Sequence, residues 1–258
     1  MDQSAISGNV KNAYDEFYQE HDEAWRMLGA KYKAEHIVEV CRDYTFNKVL
    51  EVGAGDGSIL KFLSEKNFAS EYHAVEISES GVAHILSRGI NNLLSVQVFD
   101  GYHLPFDDDS FDLIILSHVL EHVEHERILL RELKRVAKYI VIEVPIDYKA
   151  GVDKRIKHFL AYGHINVYTP TSLRYLLHTE GFDIENDLTS IIPPEVTRFN
   201  TYVNQKKPQS FIGNLKIATE FKVKDMLGKI LGKKMEEQFA NAYTVLCKKA
   251  GEQMEIFH

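Results

Sequence analysis

The sequence predicts an α/β fold, a doubly wound sheet with helices on both faces, and three observations carry that prediction. Short apolar runs alternate with amphipathic helical stretches from about residue 48 to about residue 190. One run, "YIVIEVP", is apolar at nearly every position, as a strand covered on both faces is. The first run, "VLEVGAGDGS" at residues 49–58, ends in glycines at alternate positions, Gly53, Gly55 and Gly57. Such a turn lets a strand pass into a helix while backbone approaches a ligand without a Cβ in the way.

Residues 10–42 read as helix, with Tyr14, Phe17, Tyr18, Trp25 and Leu28 at roughly helical spacing. The stripe either packs on the core or, at Tyr14 and Tyr18, helps to close a substrate pocket. Then "KVLEVG" is strand one, "SILKFLSEK" a helix, "EYHAVEIS" strand two and "SGVAHILSRG" a helix stopped by glycine. "LLSVQVFD" and "FDLIILSH" are strands three and four. "HERILLRELKRVAK" is an amphipathic helix with Ile128, Leu129, Leu133 and Val136 on its inner side. "YIVIEVP" is strand five. "TSLRYLLHTEG" is a helix capped by Thr169 or Thr171 and ended by Gly181, and "FDIENDL" is strand six. The rhythm breaks over 190–240, a mostly helical segment, before the last strand "AYTVLCKKA". The chain therefore divides into a helical cap (1–42), a core (43–189), a helical insertion that forms a lid or an oligomer contact (190–240), and a final strand with its tail (241–258). No oligomeric state is legible.

With 258 residues and a net charge of −8, the chain carries enough apolar residue for one large core and lacks the basic excess of a general nucleic-acid binder. Cys41 and Cys247 form no CxxC pattern and read as buried free thiols. The first residues lack a basic stretch followed by an apolar one, and the apolar runs are strand-length, so a cytoplasmic protein is expected.

The glycine turn is not the dinucleotide pattern, because Ser58 stands where GxGxxG needs glycine. Glu51, inside strand one, would suit a ligand carrying an ammonium group better than a pyrophosphate. Glu76 ends strand two, where a carboxylate can accept from both hydroxyls of a ribose. Asp100 ends strand three and can accept from an adenine amino group. An amine, a ribose and an adenine without phosphate describe S-adenosylmethionine (SAM).

At these residues the chain resembles the class I SAM-dependent methyltransferases, in the broad small-molecule group that includes ubiquinone-biosynthesis enzymes. "VLEVGAGDGS", "AVEIS", "FDGYHLPFDDDSFDLIILSHVLEHV" and "IVIEVP" carry the likeness in order, over about 35–190 and 240–250. The resemblance implies a Rossmann-like seven-stranded sheet, mostly parallel, with the last strand inserted antiparallel. It also implies SAM as cofactor and S-adenosylhomocysteine as product. Glu51, Gly53 and Gly55 would meet the methionine end, Glu76 the ribose, Ile77 the adenine face, and Asp100 with Gly101 the adenine edge. Ser117 and His118 would lie by the amino-acid moiety and the methyl group. One departure is that the glycine pair common before strand five is absent from "RVAKYIVIEVP".

Methyl transfer asks the protein mainly to align donor and acceptor, and an oxygen acceptor also asks for a base. His118 and His164 are the catalytic candidates. On one helical face, His118, His122 and His125 could hold a metal, but a strand ending at His118 breaks the register, so no metal site is assigned. "KHFLAYGHINVYTPTSL" follows strand five, and there His164 and Tyr168 are candidate substrate contacts, beside the plainer reading of a packed loop. Lysines from Lys206 to Lys234 make the insertion basic. They read as a solvated face, as attraction for an anionic acceptor, or, over 211–235, as a membrane-surface helix. The expected activity is methylation of a small molecule at oxygen, with a metabolite or sugar derivative as acceptor. The alternatives are a lipid or quinone methyltransferase at a membrane surface and a non-catalytic SAM-binding scaffold. No "NPPY"-like tetrapeptide follows strand four, which speaks against amino methylation of nucleic acid.

Overall fold

A computed structural model describes residues 23–149, 152–155, 157, 159 and 162–250. Seven strands form where the apolar runs predict them: β1 Lys48–Val52, β2 Glu71–Glu76, β3 Leu93–Val98, β4 Phe111–Ser117, β5 Ala137–Pro145, β6 Phe182–Ser190 and β7 Ala242–Lys249. They make one sheet in the order β3-β2-β1-β4-β5-β7-β6, parallel except for β7, which runs antiparallel to both neighbours. The strand order reverses beside β1, between β2 and β4, which is where doubly wound sheets bind ligands.

The period-two side-chain pattern builds the two faces. Leu50, Val52, Ile114, Leu116, Ile140 and Ile142 point into one apolar layer, whereas Val49, Leu113, Ile115 and Val141 point into the other. The first layer is covered by helices α4 (Glu126–Val136) and α5 (Pro170–Thr179). The second is covered by α1 (Glu23–Val40), α2 (Ser58–Glu65) and α3 (Glu79–Ser87). On α4 the buried residues are Leu129, Leu130, Leu133 and Val136, while Ile128 is exposed, so the inner face is turned by about half a residue step from the expected one. Helix α4 ends at Val136 and β5 starts at Ala137, which explains how the chain does without a glycine pair there. Of the two expected caps on α5, Thr169 acts: it accepts from the Ser172 amide and returns its own amide to the Ser172 hydroxyl.

Between β6 and β7 stand α6 (Pro194–Phe199), α7 (Phe211–Leu231) and α8 (Lys233–Phe239). Both cysteines are free and buried, and burial pushes the Cys41 thiol up to about 12. No helix among the described residues is long and apolar enough to cross a membrane.

Helix α1 lies close to the sheet because Ala30 and Ala34 present little more than a methyl group, with Ile37 and Val40 continuing the buried stripe. Its docking is set by a buried carboxylate. Asp56, in the glycine turn, accepts from Arg26 of α1 at 2.8 Å and from Arg88, just after α3, at 2.9 Å. It also accepts from the Ser58 amide at 3.1 Å and hydroxyl at 2.5 Å. Removing one partner of such a knot strands the others in low dielectric. Asp56→Ala is expected to lower unfolding free energy by about 3 kcal/mol and to make residues 23–40 more open to protease. Unchanged urea midpoint and cleavage would contradict this role.

Candidate active site

The glycine turn begins directly after β1. Gly53, Gly55 and Gly57 have φ of 68°, 59° and 76°, in the left-handed region. A Cβ on Gly53 would stand 2.6 Å from Val119 Cγ2, so conformation and packing both call for glycine there. The turn is pinned to β2: Gly53 and Ala54 amides donate to the Val75 carbonyl at 2.9 and 3.2 Å, and the Gly55 amide donates to Glu76 Oε2 at 3.0 Å.

Glu51 is 2% exposed and its Oε2 has no hydrogen-bond partner. Burial raises its pKa well above the carboxylate range, against the pull of Lys33, with Asp56 and Glu76 adding to the rise. Glu76 is also buried. Besides Gly55 it accepts from the Ser78 amide at 3.3 Å and hydroxyl at 3.2 Å, and burial outweighs these bonds to raise its pKa. Ile77 joins the apolar layer with Val52, Val75 and Phe99. Asp100 folds back on its own loop: it accepts from the Tyr102 and His103 amides at 2.8 and 2.7 Å and meets His103 Nδ1 at 2.8 Å. Burial disfavours its charge, but these bonds outweigh burial and lower the pKa. Gly101 follows with φ 98°.

A polar row crosses the sheet on the α1 side. Ser117 of β4 is in register with Glu143 of β5, and Glu143 with Thr244 of β7. All three are buried, and Ser117 Oγ has no hydrogen-bond partner. Glu143 accepts from Thr244 Oγ1 at 2.6 Å, and its other oxygen lies 3.2 Å from His118 Nε2. His36 of α1 meets it at 2.9 Å. Burial works against this charge, but the His118 and His36 contacts outweigh it and hold the Glu143 pKa far below the carboxylate range.

His118 was expected as a base, and its surroundings argue otherwise. It directly follows β4, with φ 56°, a left-handed conformation uncommon outside glycine. Its Nδ1 lies 3.3 Å from Glu121 Oε1 while Nε2 faces Glu143. Burial and Lys33 push its pKa down, but the two carboxylates outweigh them and raise it, and with both ring nitrogens facing carboxylates the imidazole is poorly placed to take a proton from an acceptor. His122 follows on a short 3-10 turn, Leu120–His122, and His125 precedes α4 beside the Tyr102 ring, so the three histidines share no helical face. His122 Nδ1 bonds the Gly163 carbonyl at 3.0 Å. Burial lowers its pKa despite the nearby Glu121 carboxylate. His164 reaches the same place from the loop after β5, its Nδ1 2.6 Å from Asp147 Oδ2 and its ring edge-on to His122 with centroids 5.0 Å apart.

Tyr168, expected at the substrate, is instead a core residue. It is 7% exposed within the first apolar layer, and its hydroxyl donates to the Leu120 carbonyl. Tyr14 and Tyr18 lie outside the described residues. The sequence reading missed Glu121, Glu143, His36 and Thr244. The two glutamates had a signal, a lone acidic residue inside "HVLEHV" and "IVIEVP", the same signal that singled out Glu51 in "VLEVG". Glu143→Ala leaves His36, His118 and Thr244 without their shared acceptor, and a loss of about 3 kcal/mol in urea unfolding is expected. A loss below about 1 kcal/mol, the worth of an ordinary hydrogen bond, would mean the cluster does not depend on Glu143.

Similarity to known proteins agrees with this geometry. A family model described as a methyltransferase domain matches residues 18–186, more than half of the chain. YrhH of Bacillus subtilis (strain 168), which carries a methyltransferase name, is 29% identical over 119 residues, 43% of this chain and 66% of that protein. The ubiquinone/menaquinone biosynthesis C-methyltransferase UbiE of Cupriavidus pinatubonensis is 30% identical over 97 residues, 36% of this chain and 39% of that one. Each match spans less than two thirds of the relative's own length. Among solved structures, MccD protein superposes with a TM-score of 0.60 at 16% identity, covering 86% of this chain and 97% of that one. Phosphoethanolamine N-methyltransferase 2 of Haemonchus contortus, solved with phosphomonomethylethanolamine and S-adenosylhomocysteine, does so at 0.58 and 15%, covering 84% and 52%. At these identities the structures speak for the fold alone. The glycine turn, the acidic strand ends, the sheet order and the family match together place this chain in the methyltransferase-domain family, with the class I Rossmann-like fold.

Proposed function

We propose that the protein transfers the methyl group of SAM to an oxygen of a small-molecule acceptor, a metabolite or sugar derivative. The observation that carries the donor side is Glu51, a buried carboxylate with one unpartnered oxygen beside the glycine turn. A ligand ammonium there would supply the partner that the fold does not. The Ser117 hydroxyl, on the adjacent strand and also without a partner, is assigned to the same amino-acid end. Glu76 is assigned to the ribose, Ile77 to the adenine face, and Asp100 with Gly101 to the adenine edge. The sulfonium of SAM supplies the electrophilic methyl group, so the chain's task is alignment and proton handling. On the acceptor side we assign His164, oriented by Asp147 in the manner of a histidine whose second nitrogen is fixed by a carboxylate. His118 is assigned to positioning, since both of its ring nitrogens face carboxylates, Glu121 and Glu143.

A second reading is favoured by helix α7. Phe211, Ile212, Leu215, Ile230 and Leu231 are all more than half exposed on it, with Phe211 at 82%. They are interleaved with lysines, as in a helix lying on a membrane surface. UbiE, by its name, methylates in ubiquinone and menaquinone biosynthesis, and a rice relative is named as a tocopherol O-methyltransferase. The anionic-acceptor reading is weakened by pairing: Lys224, Lys229 and Lys233 meet Glu220, Asp225 and Asp187. Incubation with labelled SAM and a cell extract, followed by water–organic partition, separates the readings. Label in an aqueous product is expected, and label in the organic phase would move the acceptor to the membrane.

Three measurements test the assignments. Because burial raises the Glu51 pKa, a cationic ligand that binds the charged carboxylate should release a proton wherever Glu51 is protonated, so SAM affinity should climb by up to about tenfold per pH unit below the raised pKa and level off above it. Glu51→Gln should flatten that profile, and a parent protein with flat pH dependence would contradict the assignment. Glu76→Ala should weaken SAM at least about tenfold, the worth of a lost charge-assisted bond. His164→Ala should lower turnover with SAM affinity nearly intact, whereas equal loss of both would make His164 structural.

A further inference from the structure

Glu121, His122 and His164 converge at the carboxyl end of β4, and one ligating atom from each lies within 4.8 Å of the other two. We propose that these three residues bind a divalent transition-metal ion of the zinc and iron class, whose remaining coordination positions face the acceptor. Two independent features point to a ligand. Glu121 is fully buried, yet neither of its carboxylate oxygens makes a hydrogen bond; the nearest cationic groups are His118 Nδ1 at 3.3 Å and His122 Nε2 at 3.8 Å from Oε1. His118 meets Oε1 alone, so Oε2 stays buried without a hydrogen-bond partner, which is costly unless a further cation meets it. The second feature is that both imidazoles are fixed from behind. His122 Nδ1 is held by the Gly163 carbonyl at 3.0 Å and His164 Nδ1 by Asp147 at 2.6 Å. That arrangement sets the tautomer and presents Nε2, and metal-binding histidines are almost always oriented this way.

The donor set selects the ion. Two imidazoles and one carboxylate suit zinc, iron and their neighbours, whereas magnesium and calcium prefer oxygen ligands throughout. Bonds of about 2.0–2.2 Å in a tetrahedron bring ligand atoms to roughly 3.4 Å from one another. The pair at 3.8 Å is nearly there, and modest side-chain rotation closes the remaining distance. Three protein ligands leave at least one position open, and an acceptor hydroxyl bound there would lose its proton more readily. This deepens the proposed function and rests on it for the identity of the acceptor: with Nδ1 on Asp147 and Nε2 on the ion, His164 would serve as a ligand in place of a base, and the ion would meet the acceptor oxygen.

The test uses untagged full-length protein freed of metal with a chelator, then loaded with zinc or cobalt(II) alone and desalted. Elemental analysis should find one ion per chain, and cobalt(II) should give visible ligand-field absorption at the same stoichiometry. Glu121→Gln, nearly the same shape, and His164→Ala should each weaken zinc at least about tenfold, and Asp147→Asn by roughly tenfold, with thermal melting and SAM binding near the parent's. No retained ion, or equal retention by Glu121→Gln and His164→Ala, would overturn the proposal. SAM binding and turnover are read separately. A chain that binds no metal but still needs His164 for turnover would lose the metal site and keep the methyl-transfer reading.

Discussion

A carboxylate removed from water must be paired, hydrogen-bonded or protonated, and the arrangement of this protein's site follows from how its buried glutamates meet that requirement. Glu51, Glu76, Glu121 and Glu143 all lie at or beside the carboxyl ends of strands, and none is more than 3% exposed. Glu143 is met by His36, His118 and Thr244. Glu76 is met by the amides of the glycine turn and of the chain entering α3. Glu51 and Glu121 keep oxygens that the fold leaves unbonded. Glu143 therefore holds the architecture in place, Glu76 pins the glycine turn and is also the residue proposed for the ribose, and Glu51 and Glu121 are the two proposed to meet ligands with their unbonded oxygens.

The sheet makes this possible. Period-two alternation sends aliphatic side chains into both layers along β1, β4 and β5, and at the strand ends the same alternation places Glu51, Ser117 and Glu143 on the α1 side. Helix α1 closes over that face. Asp56 ties it to the glycine turn through Arg26, and His36 reaches the polar row. A helix that packs like scaffolding thus also delivers groups to the site, with Lys33 close enough to act on both Glu51 and His118.

Much of this was legible in the sequence because it is local. The strands follow from apolar runs, the turn from Gly53, Gly55 and Gly57, and Glu51 from its oddity inside an apolar strand. What was not legible depends on partners far apart in the chain. Glu143 reads as a stray charge in "IVIEVP" until register puts Thr244 beside it and packing brings His36 against it. His118 looks like a free base until Glu121 and Glu143 are seen on either side of its ring. Tyr168 sits in a loop that suits a substrate contact, but it precedes α5 and is drawn into the apolar layer with that helix. His122 and His164 are far apart in sequence and meet only because the loop after β5 folds back over the turn after β4.

The central claim is that the unbonded oxygen of Glu51 recognises the amino-acid end of the donor. Calorimetric affinities for S-adenosylhomocysteine and for 5′-methylthioadenosine, which keeps adenine and ribose but lacks the amino-acid group, test it most directly. A charge-assisted contact predicts that S-adenosylhomocysteine binds roughly ten- to hundredfold more tightly, with the gap closing in Glu51→Gln. Equal affinities in the parent protein, or an unchanged gap in the variant, would contradict the account.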